Sequence, residues 1–142
     1  MNIFLDTSSL IKLYHYEEGT DTLDKIFAEN TVAAIFLSEL AKVEYDSAVW
    51  KIFRTKLLTH EEVESLITSF ETDYPKYNFV RLNTEIVHSS KLLIAKYGVE
   101  GLRTLDSLQL ASVLKTRDNL ELFITADKLL KNIADKEGLP VL

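Results

Sequence analysis

The sequence predicts an α/β domain: a central parallel sheet of about four or five strands, flanked by helices on both faces. Three observations predict it. Short apolar runs alternate along the chain with amphipathic segments, as they do in strand–helix–strand units. Each run is apolar at nearly every position rather than at alternate ones, which is how strands buried on both faces look. No repeat, low-complexity stretch or linker divides the 142 residues, so residues 1–142 are expected to form one domain. Right-handed crossovers make such a sheet doubly wound.

The elements follow in order. Ile3, Phe4 and Leu5 make a first short strand, followed by the hydroxyl-rich Thr7, Ser8 and Ser9. Leu23, Ile26 and Phe27 recur at helical spacing. Residues 32–37 form a second strand, and Ser38 is placed to cap a helix reaching about residue 54. Thr59 and Glu62 form a capping-box pair ahead of Val63, Leu66, Ile67 and Phe70, and Pro75 closes that helix. Phe79 to Leu82 reads as a strand, then Ile86, Ser90, Leu93, Ile94 and Tyr97 mark a helix. Gly98 and Gly101 break the chain before the helix carrying Asp106. Leu122, Phe123 and Ile124 form a last strand, followed by a helix over about residues 126–136 and a final Val141-Leu142.

Composition narrows the function. With 46% apolar and 27% charged residues, 4 Gly and 2 Pro, the chain is neither collagen-like nor disordered. Cysteine is absent, which excludes disulfides and thiolate chemistry. No apolar run approaches the ~20 residues of a membrane span, and the N-terminus reaches Asp6 too soon for a signal peptide. A soluble, cytoplasmic protein is expected. The 16 basic residues against 22 acidic ones, a net charge of −6, argue against a sequence-blind grip on nucleic acid unless the acids are concentrated in one place.

They are. Ligands of doubly wound folds bind beyond the carboxyl ends of the strands. Asp6 directly follows the first strand, and Thr125 and Asp127 follow the last. Glu44 lies four residues from both Leu40 and Ala48 on the apolar stripe of its helix, so it faces inward; Glu39, nearby, does not. Asp106 lies four residues from both Leu102 and Leu110 on a helix with little polar face. Taken singly, Asp6, Asp106 and Asp127 each suit a helix cap or first turn, and a buried hydroxyl such as that of Tyr45 or a serine would satisfy Glu44. Taken together, four acids around one pocket repel unless a cation intervenes. An all-oxygen set suits Mg²⁺ or Mn²⁺, and His15, His60 and His88 show no zinc-ligand spacing. Other acidic α/β enzymes fit poorly. A haloacid-dehalogenase-type phosphotransferase needs a second Asp where Ser8 stands, a receiver domain needs an acidic pair, and no Gly-rich phosphate loop is present.

Four segments carry a family resemblance: residues 6–14, residues 38–44 around Glu44, residues 105–111 around Asp106, and residues 125–130 around Asp127. In order and spacing, with the closing residues 137–142, they resemble the acidic motifs of the PIN domain, and in particular the VapC toxins of toxin–antitoxin systems. The resemblance covers essentially the whole chain. It implies a metal-dependent endoribonuclease hydrolysing RNA phosphodiester bonds, with Mg²⁺ or Mn²⁺ as cofactor. Asp6, Glu44, Asp106 and Asp127 then hold metal and carry catalysis, with Ser8 and Thr125 beside them. It also implies a cognate antitoxin, a homodimer and a toxin–antitoxin hetero-oligomer, with no membrane. Setting the four acids aside leaves 18 acids against 16 bases, which softens the charge objection. Lys12, Lys42, Lys51 and Arg54 are candidate phosphate contacts, and Tyr14, Tyr16 and Trp50 candidate stacking residues. The alternative is a catalytically inactive PIN-like interaction module.

Overall fold

A computed structural model describes residues 1–142. Four strands form one parallel sheet: β1 (Asn2–Leu5), β2 (Ala34–Ser38), β3 (Asn78–Val80) and β4 (Leu122–Ile124). Their spatial order is β3-β2-β1-β4. Phe4 pairs with Phe36 on one side and Phe123 on the other, and Leu37 pairs with Phe79. The chain thus winds outward from β1 to β3 and then returns to the far side of β1. The carboxyl end of β1, at that reversal, is where such a sheet opens a crevice.

Seven helices surround the sheet: α1 (Thr7–Leu10), α2 (Thr20–Glu29), α3 (Ala41–Arg54), α4 (His60–Asp73), α5 (Thr84–Tyr97), α6 (Thr104–Lys115) and α7 (Lys128–Lys136). Alternation along β1 sends Ile3 and Leu5 to one face and Phe4 to the other, so two cores form. Leu10, Leu23, Ala41, Tyr45, Val49, Val63 and Phe70 from α1 to α4 cover the first. Ile86, Leu93, Leu110, Val113, Leu130 and Ile133 from α5 to α7 cover the second. Tyr45 is fully buried, and its hydroxyl reaches the carbonyl of Leu66 at 2.7 Å, which ties α3 to α4.

The boundaries correct several expectations. The second strand begins at Ala34 rather than at residue 32 and takes in Ser38, so Ser38 is no N-cap. Its hydroxyl instead accepts from the Leu40 amide at 3.1 Å inside the turn that leads to α3. Pro75 sits inside a short 3₁₀ turn (Tyr74–Lys76) that follows α4, and α4 itself opens with the Thr59–Glu62 capping box. The third strand ends at Val80, and α7 begins two residues later than expected, with Asp127 as its cap. Val141 makes only an isolated bridge to Phe123.

Candidate active site

All four singled-out acids stand at helix N-termini on the carboxyl edge of the sheet. Asp6 caps α1 and Asp127 caps α7, while Glu44 and Asp106 lie in the first turns of α3 and α6. The capping role weighed for single acids is therefore real at two positions, where it coexists with the convergence. Four positive helix ends aimed at one edge also offset part of the repulsion among the acids.

Three hydroxyls build the site, each donating to a carboxylate and accepting an N–H. Ser8 donates to Asp6 Oδ1 at 2.7 Å and accepts the Ala126 amide at 3.1 Å. Thr125 donates to Asp6 Oδ2 and accepts the Asp127 amide at 3.0 Å, so one hydroxyl joins two acids. Thr7 donates to Glu44 Oε1 at 2.9 Å and accepts from Gln109 Nε2 at 3.2 Å. Gln109 Nε2 also donates to Glu44 Oε1, at 2.7 Å. The partners of Glu44 are thus Thr7 and Gln109, not Tyr45 or a serine. Helix α6, which brings Asp106 and Gln109, is anchored over β2 by Ser112, whose hydroxyl lies 3.2 Å from that of Ser38.

The electrostatics are one-sided. Asp6 is only 4% exposed, and burial pushes its carboxyl above the ordinary 3.8 even though Thr125, Ser8 and Ser9 all donate to it. Asp106 is half-buried and makes no hydrogen bond. Burial and then the charges of Asp127 and Glu44 push it up, and Arg103 opposes this without reversing it. None of the four acids forms an ion pair with a lysine or arginine of the chain.

Carboxylates gathered on one edge without a paired protein cation fit a hard divalent ion, as does an all-oxygen donor set. Asp106, Glu44 Oε2 and Asp127 Oδ2 keep lone pairs free for it. No three acidic side chains close around a common point.

The basic candidates divide. Lys12 is nearly buried and pairs with Glu17 at 2.8 Å. Lys42 pairs with Glu39 at 3.1 Å and lies over the rings of Phe79 and Tyr74. Both ammonium groups are already committed to partners of the chain. Lys51 and Arg54 are exposed and free of ion pairs. Lys51 shares the helix face of Glu44 two turns along α3, about 10 Å away by helix rise. Tyr14 belongs to the interior, bonded to Asp73 and Tyr77; Tyr16 is exposed and Trp50 partly so.

Sequence reasoning missed Thr7 and Gln109. Gln109 carried a signal, since a glutamine between Leu108 and Leu110 on a helix with almost no polar face is as out of place as Glu44. For Thr7 the run of three hydroxyls showed that one was available but not which acid it would serve.

Comparison with known proteins agrees with this architecture. The PIN domain family model matches residues 3–136. FitAcB from Neisseria gonorrhoeae superposes with a TM-score of 0.71 at 15% identity, covering 99% of this chain and 96% of that one. VapC20 from Mycobacterium tuberculosis, described as a sarcin–ricin-loop-cleaving toxin, gives 0.70 at 12% identity over 96% and 95%. VapBC2 from Rickettsia felis, solved bound to a DNA fragment from its promoter, gives 0.64 at 15% over 100% and 98%. At these identities the likeness is one of fold. No curated protein matches the chain in sequence.

Proposed function

The chain belongs to the PIN domain family, and on that premise we propose that it is a metal-dependent endoribonuclease, the toxin of a VapBC-type toxin–antitoxin pair. One observation carries the reading. Asp106 is a half-buried carboxylate without a hydrogen bond, flanked by Asp127 and Glu44 and paired with no cation of the chain. The helix dipole returns only part of what a half-buried, unbonded carboxylate costs there, so a purely structural role explains it poorly.

Asp6, Glu44, Asp106 and Asp127 would hold Mg²⁺ or Mn²⁺. When bound, the ion supplies charge neutralisation at the phosphate and lowers the proton affinity of the attacking water. The reaction is hydrolysis: an oxygen–phosphorus bond forms from water, the bond to one bridging oxygen breaks, and the water proton ends on the departing oxygen. Ser8, Ser9 and Thr125 fix Asp6 by both oxygens, so that it is a rigid ligand. Glu44, held through Oε1, keeps Oε2 free to accept a hydrogen bond from the attacking water and orient it. Lys51 and Arg54, both exposed on α3, would meet phosphates further along the RNA. Residues 1–142 act as one nuclease domain in this reading, in the cytoplasm, as a homodimer whose activity a cognate antitoxin holds in check. The neighbouring folds support the partner, since VapBC and toxin–antitoxin complexes are among them.

The test is cleavage of labelled structured and single-stranded RNA with Mg²⁺ or Mn²⁺, with and without EDTA, by the wild type and Asp106→Asn. Cleavage that needs the metal and disappears in the variant is expected. A purified wild type that binds neither ion and leaves every RNA intact would make the chain an interaction module instead.

A further inference from the structure

The contact that sequence reasoning missed has a use. Gln109 is 3% exposed, and its amide is fully committed on the nitrogen side: Nε2 donates to Glu44 Oε1 at 2.7 Å and to Thr7 Oγ1 at 3.2 Å. On the oxygen side it is idle, for Oε1 is buried without any partner. A leucine would pack at this site without stranding an acceptor, so packing does not explain a glutamine here. What the amide does is load one oxygen of Glu44. With Thr7 at 2.9 Å as the second donor, Oε1 carries two hydrogen bonds while Oε2 has none from the protein. The carboxylate cannot rotate without breaking both.

We propose that Gln109, with Thr7, is a positioning residue that clamps Glu44 by Oε1 so that Oε2 alone is presented to metal and water. The inference rests on the reading of the four acids as a metal site. An amide suits the task because it donates at every pH and adds no charge to a site already crowded with negative ones, whereas a lysine would neutralise Glu44 and compete with the ion. Partners that orient ligands in this way typically change metal affinity or activity 10–100-fold when removed.

Mn²⁺ binding, measured by calorimetry on the full chain without RNA, is the first test. Gln109→Leu is expected to weaken Mn²⁺ binding at least tenfold while melting at or above the wild-type temperature. In RNA cleavage it lowers kcat and leaves KM nearly unchanged. Thr7→Val shifts the affinity in the same direction, and Thr7→Ser, which keeps the hydroxyl, restores it. In a Glu44→Ala background Gln109→Leu has no further effect, because both act through one carboxylate. Wild-type Mn²⁺ affinity in Gln109→Leu, or an equal loss in the Glu44→Ala background, would overturn the clamp. Should the leucine variant fold poorly, Gln109→Met carries the same measurements. The second test needs no metal. The Gln109 side-chain amide resonances of the ¹⁵N-labelled protein are expected to move on Glu44→Ala, and unmoved resonances would also overturn the proposal. A wild type that binds no Mn²⁺ defeats the nuclease reading, and the amide resonances still decide the clamp.

Discussion

The two ends of α7 place acids in opposite company. At its N-terminus Asp127 joins Glu44 and Asp106, which lack ion pairs with any lysine or arginine, and Asp106 is pushed upward. At its C-terminus Glu137 accepts from Lys96 at 2.7 Å and from Tyr97 at 2.5 Å, and Arg117 reaches its backbone carbonyl. Burial pushes the Glu137 carboxyl up, but the bonds from Lys96 and Tyr97 and the charges of Lys96 and Arg117 hold it below the ordinary 4.5. The contrast follows from chain direction. In a parallel α/β sheet the helix N-termini gather at one edge and the C-termini at the other. Cations near the C-terminal ends, such as Lys96 and Lys136 in last turns, satisfy those dipoles. Acids at the N-terminal ends satisfy theirs too, but four of them on one edge exceed what the dipoles offset. One edge is a finished structural cluster; the other gathers carboxylates that pair with no lysine or arginine of the chain.

The largest expected effect separates the edges by chemistry. Replacing any one of Asp6, Glu44, Asp106 or Asp127 with its amide should lower metal-dependent RNA cleavage at least ~10²-fold, whereas Glu137→Gln should leave cleavage within about twofold of wild type. Gel assays of labelled RNA check both, and full activity in any site variant removes that residue from the site.

Stability should divide the edges in the opposite sense. Glu137→Gln removes the charged partner of Lys96 and Tyr97, and its cost is about 1 kcal/mol because Lys96 remains exposed to solvent. For a chain of this length that lowers the melting temperature by roughly 3–5 °C. Asp106→Asn in EDTA should be neutral or raise the melting temperature, since it removes a crowded charge with no hydrogen bond to lose. A fall of several degrees would make Asp106 a structural anchor.

The smallest effect is in the pH dependence of those two differences. The folded protein holds Asp106 above 3.8, so it prefers the protonated acid, and the penalty appears as pH rises through the window above 3.8. The benefit of Asp106→Asn is therefore full at neutral pH and vanishes below that window. Glu137 is depressed, so its contribution is present above 4.5 and is lost as pH falls through the lower folded value. Thermal melts of both variants at pH 3 and pH 7 should show the two differences shrinking together toward acid, from opposite signs.

Much of the site was legible because the signals were local. A carboxylate directly after an apolar run lies at a strand end, and a carboxylate four residues from apolar neighbours lies on a buried face. These two readings place Asp6, Glu44, Asp106 and Asp127 on elements whose ends meet, and the Thr59–Glu62 cap was equally local, read from its Thr-x-x-Glu spacing. The ion pairs of Lys12 and Lys42 were not legible, for the converse reason. Periodicity assigns a residue to a face but says nothing of the acid across a turn that captures it, as Glu17 captures Lys12 and Glu39 captures Lys42.

By itself, then, the sequence determined an apolar parallel sheet, the helices around it and four acids out of place. All three follow from repeat distances of a few residues, which backbone geometry turns directly into faces and ends. Only the tertiary structure decided the strand order β3-β2-β1-β4 and the partners within the site: Thr125 for Asp6 across 119 residues, and Gln109 for Glu44 across 65. Those pairings arise when two cores close on opposite faces of the sheet, and burial of both faces, not local propensity, chooses which distant hydroxyl or amide meets each carboxylate.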